Sequence, residues 1–257
     1  GSGSTGVLTL SGGSLTVNGE LWVGSQTGAT GTLTLSSGTL TTTNWSNIGR
    51  KDNASPGVGG VGTVTITGGT WTKSGDSNLI IGDTGNGTMT LSGGTVEVLP
   101  SLVADRGITW IANRNACTGS LTLSGTADFR SPRIVIGVES GTTGTLRLDG
   151  GTLRTRSITG GIGNNSVIFN GTQIIATGSS NAFLENHISA EIEAGGLKVD
   201  TAGHTLHAAQ PIDGNGTVTK SGAGTLRLAG GNNYTGDHLV QGGKLLLSVF
   251  SSANGTT

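Results

Sequence analysis

The stretch Gly31-Thr32-Leu33-Thr34-Leu35 decides the fold, because the same short pattern occurs six times in the first part of the chain. In each copy a glycine precedes four residues, of which the second and fourth are apolar. The copies are Val7–Leu10, Thr32–Leu35, Thr63–Ile66, Thr88–Leu91, Ser120–Leu123 and Thr145–Leu148, at spacings of 25, 31, 25, 32 and 25 residues. Alternation with a period of two is typical of a β-strand with one buried face.

Two further strand-like stretches follow each copy after short turns rich in glycine and serine. The second stretches are Ser14–Val17, Thr39–Thr42, Thr70–Lys73, Thr95–Val98, Thr126–Phe129 and Thr152–Thr155. The third are Glu20–Val23, Trp45–Ile48, Asn78–Ile81, Ile108–Ile111 and Arg133–Ile136, with a weaker one around Ile158. Three strands per unit are typical of one coil of a three-sided parallel β-helix, whose coils stack their apolar side chains into one core. We therefore predict an all-β solenoid of about ten coils of roughly 25 residues.

The composition excludes several classes of function. The 257 residues include 49 glycines and only 11% charged residues, and the net charge of -1 gives no electrostatic reason to expect nucleic acid. A single cysteine excludes an internal disulfide and a cysteine-based metal cluster. No apolar run is long enough to span a bilayer, so we predict no transmembrane segment in this chain. We expect neither a cofactor nor a metal.

The two longer spacings indicate insertions at two corners of the helix, Arg50–Val61 and Leu99–Gly107. Binding residues on a repeat scaffold concentrate in such loops, because the scaffold itself is committed to stacking. The insertions therefore predict possible ligand contacts at Arg50, Lys51, Asp52, Asp105, Arg106 and, beside the second insertion, Trp110.

The outward positions of the first strand form a predicted ladder of threonines: Thr9, Thr34, Thr65, Thr90 and Thr122. Stacked threonines stabilise a sheet through methyl packing and hydroxyl hydrogen bonds. A flat, regular array of threonines could also order water and bind ice. Both interpretations remain open at this stage.

A catalytic centre is not expected. Asp128 and Asp149 lie close together in the coil pattern, and paired carboxylates can cleave glycosidic bonds. The neighbouring side chains are arginines and threonines, typical of a solvated surface, and the four histidines are scattered. A carbohydrate-active lyase or hydrolase on a β-helix is the alternative to a non-enzymatic function.

From about Ser166 the pattern changes, and three motifs follow one another near the end of the chain. They are Lys220–Leu228 (KSGAGTLRL), Asn232–Gly236 (NNYTG) and Gly242–Leu245 (GGKL). This order resembles the autotransporter-associated β-strand repeat, also called the passenger-associated transport repeat, with the strong similarity covering Ser166–Ser248. Asp237 and His238 depart from the family pattern, in which small residues and threonine are more usual.

The resemblance implies a right-handed parallel β-helix exported to the outside of a bacterium, at the cell surface or secreted. We predict repeats with two insertions over residues 1–165 and a continuing helix carrying the family repeat over 166–257, as one solenoid. The predicted function is an adhesin-like stalk that presents loops to glycans or to host or neighbouring cell surfaces. Neither end shows an obvious cap, so we expect the chain to be part of a longer polypeptide.

Overall fold

A computed structural model describes residues 3–51 and 59–248, and every regular element in these ranges is a β-strand. The strands form three faces. The first face comprises β1 (Thr5–Val17), β3 (Thr30–Thr42), β5 (Val61–Ile66), β8 (Asn86–Leu91), β11 (Thr118–Leu123), β14 (Thr143–Leu148), β17 (Asn164–Phe169), β20 (Ser189–Ile192) and β23 (Asp213–Gly214).

The second face begins with the C-terminal halves of the long strands β1 and β3. It continues with β6 (Thr70–Lys73), β9 (Thr95–Val98), β12 (Asp128–Arg130), β15 (Thr152–Thr155), β18 (Gln173–Ala176), β21 (Leu197–Asp200), β24 (Val218–Ser221) and β26 (His238–Val240). The third face comprises β2 (Leu21–Ser25), β4 (Ser46–Arg50), β7 (Leu79–Ile81), β10 (Thr109–Ile111), β13 (Arg133–Ile136), β16 (Ser157–Gly160), β19 (Ser180–Glu185), β22 (Thr205–Ala208), β25 (Thr225–Leu228) and β27 (Lys244–Leu247).

All pairings on these faces are parallel, which confirms the predicted parallel β-helix. The ten strands of the third face correspond to ten coils, the number predicted. The six glycines of the sequence pattern pair in one column: Gly6, Gly31, Gly62, Gly87, Gly119 and Gly144. The first and second faces remain paired across residue 165, where β14 meets β17 and β15 meets β18.

The core runs along the interior of the stacked coils, as the alternation predicts. Leu33 and Leu35 point inward and are buried, while Thr34 between them lies on the outer side. Burial of a leucine or isoleucine side chain contributes about 1.5 to 3 kcal/mol. Since each inward side chain packs on those of adjacent coils, stability depends on stacking and not on any single coil.

Coil length departs from the predicted 25 residues in the second half of the chain. Leu8 pairs with Leu33, an offset of 25 residues, whereas Leu226 pairs with Leu245, an offset of 19. The shorter coils lose residues at the turns, so the three faces persist while the corners tighten. The predicted strand Thr126–Phe129 is also displaced, because Gly125 and Thr126 belong to the turn and β12 begins at Asp128.

Two lysines, Lys73 and Lys220, occupy inward and buried positions on the second face, where lysine is rarely found. Lys73 Nζ donates to the carbonyls of Ser74 and Ser77 and to the Ser77 hydroxyl, at 2.5 to 3.0 Å. Burial lowers the pKa of Lys73 to about 8, opposed by the nearby Asp76 carboxylate. Lys220 similarly bonds three main-chain carbonyls, so each ammonium group ties a turn to the strand before it.

Candidate ligand-binding cleft

A row of outward side chains crosses the third face at its N-terminal end. Trp22 pairs with Asn47, Asn47 with Ile80, and Ile80 with Trp110. Each of them stands two positions before a Gly or Ala with positive φ near the end of the strand, and the residue in between is buried. The turn therefore fixes which side chains of the third strand point outward.

A cleft of about 350 Å³ opens over the middle of this row. Asn47 and Ile80 lie at its floor. Trp45 and Trp110 contribute aromatic walls, with ring centroids 6.3 Å apart and ring planes inclined at 47°. Both rings are half-buried, so each offers part of its surface to a ligand and part to the protein. The cleft thus combines an apolar wall with a polar floor, as small-molecule sites commonly do.

Paired charges form the opposite wall. The buried Asp83 carboxylate accepts from Asn113 Nδ2 at 2.7 Å and from Arg114 Nε at 3.2 Å, and Arg50 Nε lies 3.7 Å from it. Arg50 also donates to the Glu20 carboxylate. Because each arginine is held by a carboxylate, the guanidinium groups are fixed in place and the wall carries little net charge.

Two arginines stack on the tryptophans of this face. The Arg50 guanidinium carbon lies 4.4 Å from the ring centroid of Trp22, and that of Arg106 lies 4.6 Å from the ring centroid of Trp45. Both distances are within the range of cation–π contacts. Arg106 belongs to the insertion 99–107, so this loop reaches the same face as the cleft.

Asn47 is the unusual residue of the cleft, since its side chain is 1% exposed yet unbonded. Neither its amide nitrogen nor its amide oxygen has a hydrogen-bond partner among the described residues. Burying an unpaired polar group of this kind costs about 1 to 3 kcal/mol. The amide thus carries two donors and an acceptor, buried beneath the aromatic cleft, that no described residue satisfies.

Three of the predicted loop residues meet at this cleft: Arg50 and Trp110 line it, and Arg106 stacks on its aromatic wall. Lys51 is buried instead, and its main-chain N–H donates to a threonine hydroxyl at 2.6 Å. Asp52 lies outside the described residues. Of the first insertion, Arg50 thus contributes to the cleft, whereas Lys51 belongs to the buried interior.

Asp105, the remaining predicted contact, lines a neighbouring groove and accepts from Arg133 Nη1 at 3.0 Å. The sequence prediction missed Asn47 and Asp83, although their positions relative to the turn glycines place both on or beside the third face. Trp71 is fully buried in β6 on the second face, whereas Trp45 is half-buried on the third face, where it lines the cleft.

The predicted threonine ladder forms one column on the first face, in the order Thr9, Thr34, Thr65, Thr90, Thr122. A second column of threonine and serine runs parallel to it, two residues earlier in each strand from β3 onward. Arg147 follows Thr122 in the ladder, and Ile168 follows Arg147. The threonine ladder therefore spans five coils, from β1 to β11, and is interrupted by Arg147 in β14.

The C-terminal coils carry the second informative feature. Residues 218–247 match the family model of the passenger-associated-transport-repeat. These residues form a passenger-associated transport repeat. The match is narrower than the predicted Ser166–Ser248, but it contains all three motifs quoted from the sequence. Such a repeat suggests the passenger region of an autotransporter.

The geometry explains two positions of the repeat. Its first motif begins with Lys220, whose ammonium group bonds the carbonyls of Ser221, Gly222 and, in the following coil, Gly242. Tyr234 of the Asn-x-Tyr-x-Gly turn is buried, and its hydroxyl lies 2.7 Å from His238 Nε2. Burial raises the pKa of Tyr234 to about 12. Lys220 thus joins two consecutive coils, whereas Tyr234 and His238 fasten the turn within one coil.

Searches among curated proteins and among solved structures returned no significant match. Within residues 3–51 and 59–248, no group of three or more His, Cys, Asp or Glu side chains is arranged to hold a metal ion. The same residues include no helix with the length and hydrophobicity required to cross a bilayer.

Proposed function

We propose that the chain is an adhesin-like passenger segment that binds glycans in the cleft of Trp45, Asn47 and Trp110. The buried, unbonded amide of Asn47 carries this proposal. A sugar ring presents an apolar C–H face and a rim of hydroxyls that both donate and accept. The tryptophan rings can stack on the C–H face, and the Asn47 amide can hydrogen-bond a pair of adjacent hydroxyls.

The rigidity of the rod supports this function. Trp110 and Asn47 project from paired strands, and Arg50 and Arg114 are fixed by carboxylates. A preformed site loses little conformational entropy when the ligand binds. Stacked coils about 4.8 Å apart also repeat in the direction of an extended polymer, so a glycan chain can lie along the face.

The test is a glycan array followed by titration of the purified chain with the glycans that bind, monitored by tryptophan fluorescence. The Asn47→Leu variant replaces the unbonded amide with an apolar side chain of similar size. We expect its unfolding free energy to be equal or higher, by up to about 1 kcal/mol, because an unpaired buried polar group is removed. We expect its glycan affinity to fall by about 10-fold or more, because the ligand loses its partner on the floor of the cleft.

Thr65→Ala on the first face is the matched control, and its affinity should equal that of the wild type. A wild-type chain that binds no glycan refutes the proposal. So does an Asn47→Leu variant that binds as tightly as wild type. Loss of stability in Asn47→Leu would show instead that the amide is needed by the fold.

The threonine columns support a second candidate function, binding of ice. Thr34, Thr65 and Thr90 stack in register beside Thr32, Thr63 and Thr88, which gives a repeating pair of hydroxyls on three successive coils. Thermal hysteresis of the purified chain tests this function, and Thr65→Leu should reduce it. Freezing behaviour identical to that of an inert protein rules it out.

A further inference from the structure

A second groove lies beyond the cleft, between the insertion 99–107 and the coils of β13 and β16. It has a volume of about 500 Å³, and four arginines line it: Arg106, Arg130, Arg133 and Arg156. Leu102, at the other side of the groove, is fully exposed, so the loop stands clear of the rod. The groove is therefore an open trough with a basic floor.

The charges of this trough are only partly compensated. Arg130 pairs with Glu97 at 2.9 Å, and Arg133 pairs with Asp105 at 3.0 Å. Arg156 is exposed and has no ion-pair partner in the part of the chain that the structure describes. The chain has nine arginines and a net charge of -1, yet four of the nine line this one trough. The local excess of positive charge thus arises on an otherwise neutral rod.

The trough and the cleft form one continuous surface. Arg106 lines the trough and stacks on Trp45, which lines the cleft. On the sheet, Val135 pairs with Trp110, and Arg133 stands two residues before Val135 on the same outward side. This surface runs from Trp22 in the first coil to Arg156, which directly precedes β16 in the sixth coil. Five coil spacings make it about 24 Å long along the rod.

We propose that the trough is an anion-binding subsite of the same ligand, so that the bound glycan is an acidic polysaccharide. This inference rests on the proposed function. A sugar unit stacks on Trp45 and Trp110, while carboxylate or sulfate groups further along the polymer bind Arg133 and Arg156. Guanidinium groups bind both kinds of anion through paired N–H donors.

The spacing of charge favours an acidic glycan over a nucleic acid. Duplex DNA carries one negative charge per about 1.7 Å. Phosphates at this spacing would also lie beside the carboxylates of Glu97 and Asp105, which would repel them. An acidic polysaccharide carries at most a few charges per sugar unit. It can therefore place an anion on Arg156 and an uncharged ring edge beside the paired groups.

The experiment compares acidic and neutral forms of the same polymers, by interferometry with the full chain and immobilised ligand. Polygalacturonate and its methyl ester test carboxylate recognition, and cellulose sulfate and cellulose oligosaccharides test sulfate recognition. We expect the wild type to bind at least one acidic form about 10-fold or more tightly than its neutral counterpart, an advantage that falls as salt is added. The variant Arg133→Gln/Arg156→Gln should bind acidic and neutral forms alike.

Arg227→Gln, which removes an exposed arginine three coils away, is the matched control and should bind as wild type. Arg156→Gln alone, at an exposed side chain, provides the test if the double variant fails to fold. Equal binding of acidic and neutral forms overturns the inference but leaves glycan binding intact. Absence of all glycan binding overturns both proposals. DNA bound as tightly as the acidic glycans, and lost in the same variant, overturns the inference in favour of a general polyanion surface.

Discussion

His187 should make the rod sensitive to mild acid. It lies between β19 and β20, is 7% exposed, and its Nε2 lies 3.2 Å from the carbonyl of Ile158. Nδ1 has no hydrogen-bond partner within the described ranges. Its main-chain N–H and C=O are both held by the Gln210 side chain, at 2.6 and 2.9 Å. The imidazole is therefore fixed in a site that has no acceptor for a second proton.

Burial lowers the pKa of His187 from 6.5 to about 4, and the hydrogen bond to Ile158 opposes only part of this shift. The unfolded chain binds a proton near pH 6.5 and the folded chain does not until about pH 4. The contribution of neutral His187 to the free energy of unfolding is therefore fully present above pH 6.5, and it is lost as the pH falls toward 4. The difference of about 2.5 pH units corresponds to about 3.4 kcal/mol.

The assay is urea unfolding of the wild type and of His187→Gln, followed by circular dichroism at several values between about pH 4 and 7.5. Carboxylates also titrate toward the lower end, so the informative quantity is the difference between the two proteins. We expect the wild type to lose about 3 kcal/mol more than the variant over this range. His204→Gln is the control, since His204 is half-exposed, and it should lose as much as the wild type. Equal losses in wild type and His187→Gln would refute the reasoning.

Three further predictions concern the turns and the surface. Lys220→Met should weaken the attachment of the last coil, because three turn carbonyls lose their hydrogen-bond donor. The free energy of unfolding should fall by about 2 kcal/mol, and proteolysis from the C-terminal side should become faster. Gly82→Ala should lower the free energy of unfolding by more than about 2 kcal/mol, because the φ of Gly82 is 78° and a Cβ would lie 2.3 Å from a carbonyl oxygen. Ala112 has a φ of 58° at the equivalent turn, so Ala112→Gly should raise the free energy of unfolding by about 0.5 to 1 kcal/mol in the same assay. The chain should not cleave polysaccharides, and Asp149→Ala should leave product formation at background, because both candidate carboxylates are already engaged in ion pairs, Asp149 with Arg147 at 2.7 Å and Asp128 with Arg154 at 3.1 Å.

The faces of the helix were predictable because their cause is local. Alternation of apolar and small polar residues decides which side of a strand is buried, and the glycines in the turns set where each strand ends. This logic places Leu33 and Thr34 on opposite sides, and it holds through all six copies of the pattern. It does not give coil length in the C-terminal half, where shorter turns join the strands of the same three faces.

The site was only partly predictable because burial of an outward side chain depends on the neighbouring coils. Asn47 looks like an exposed polar residue in the sequence, but it is 1% exposed among cleft-lining side chains that come from its own and neighbouring coils. Lys73 is the converse case: its position predicts an inward side chain, yet lysine is rarely found there. What permits it is a turn whose carbonyls converge on the ammonium group, and sequence spacing does not show that convergence.

The stacking of coils also determines how the rod responds to a pulling force. Each coil packs on its immediate neighbours, and at one corner on the next coil but one. Tension on the C-terminal end therefore peels off one coil at a time instead of shearing the whole core. A coil of 19 to 25 residues contributes about 4.8 Å to the length of the folded rod, but it releases about 65 to 85 Å of extended chain. The point at which the force is applied can thus recede by many times the height of a coil while the remaining coils stay stacked.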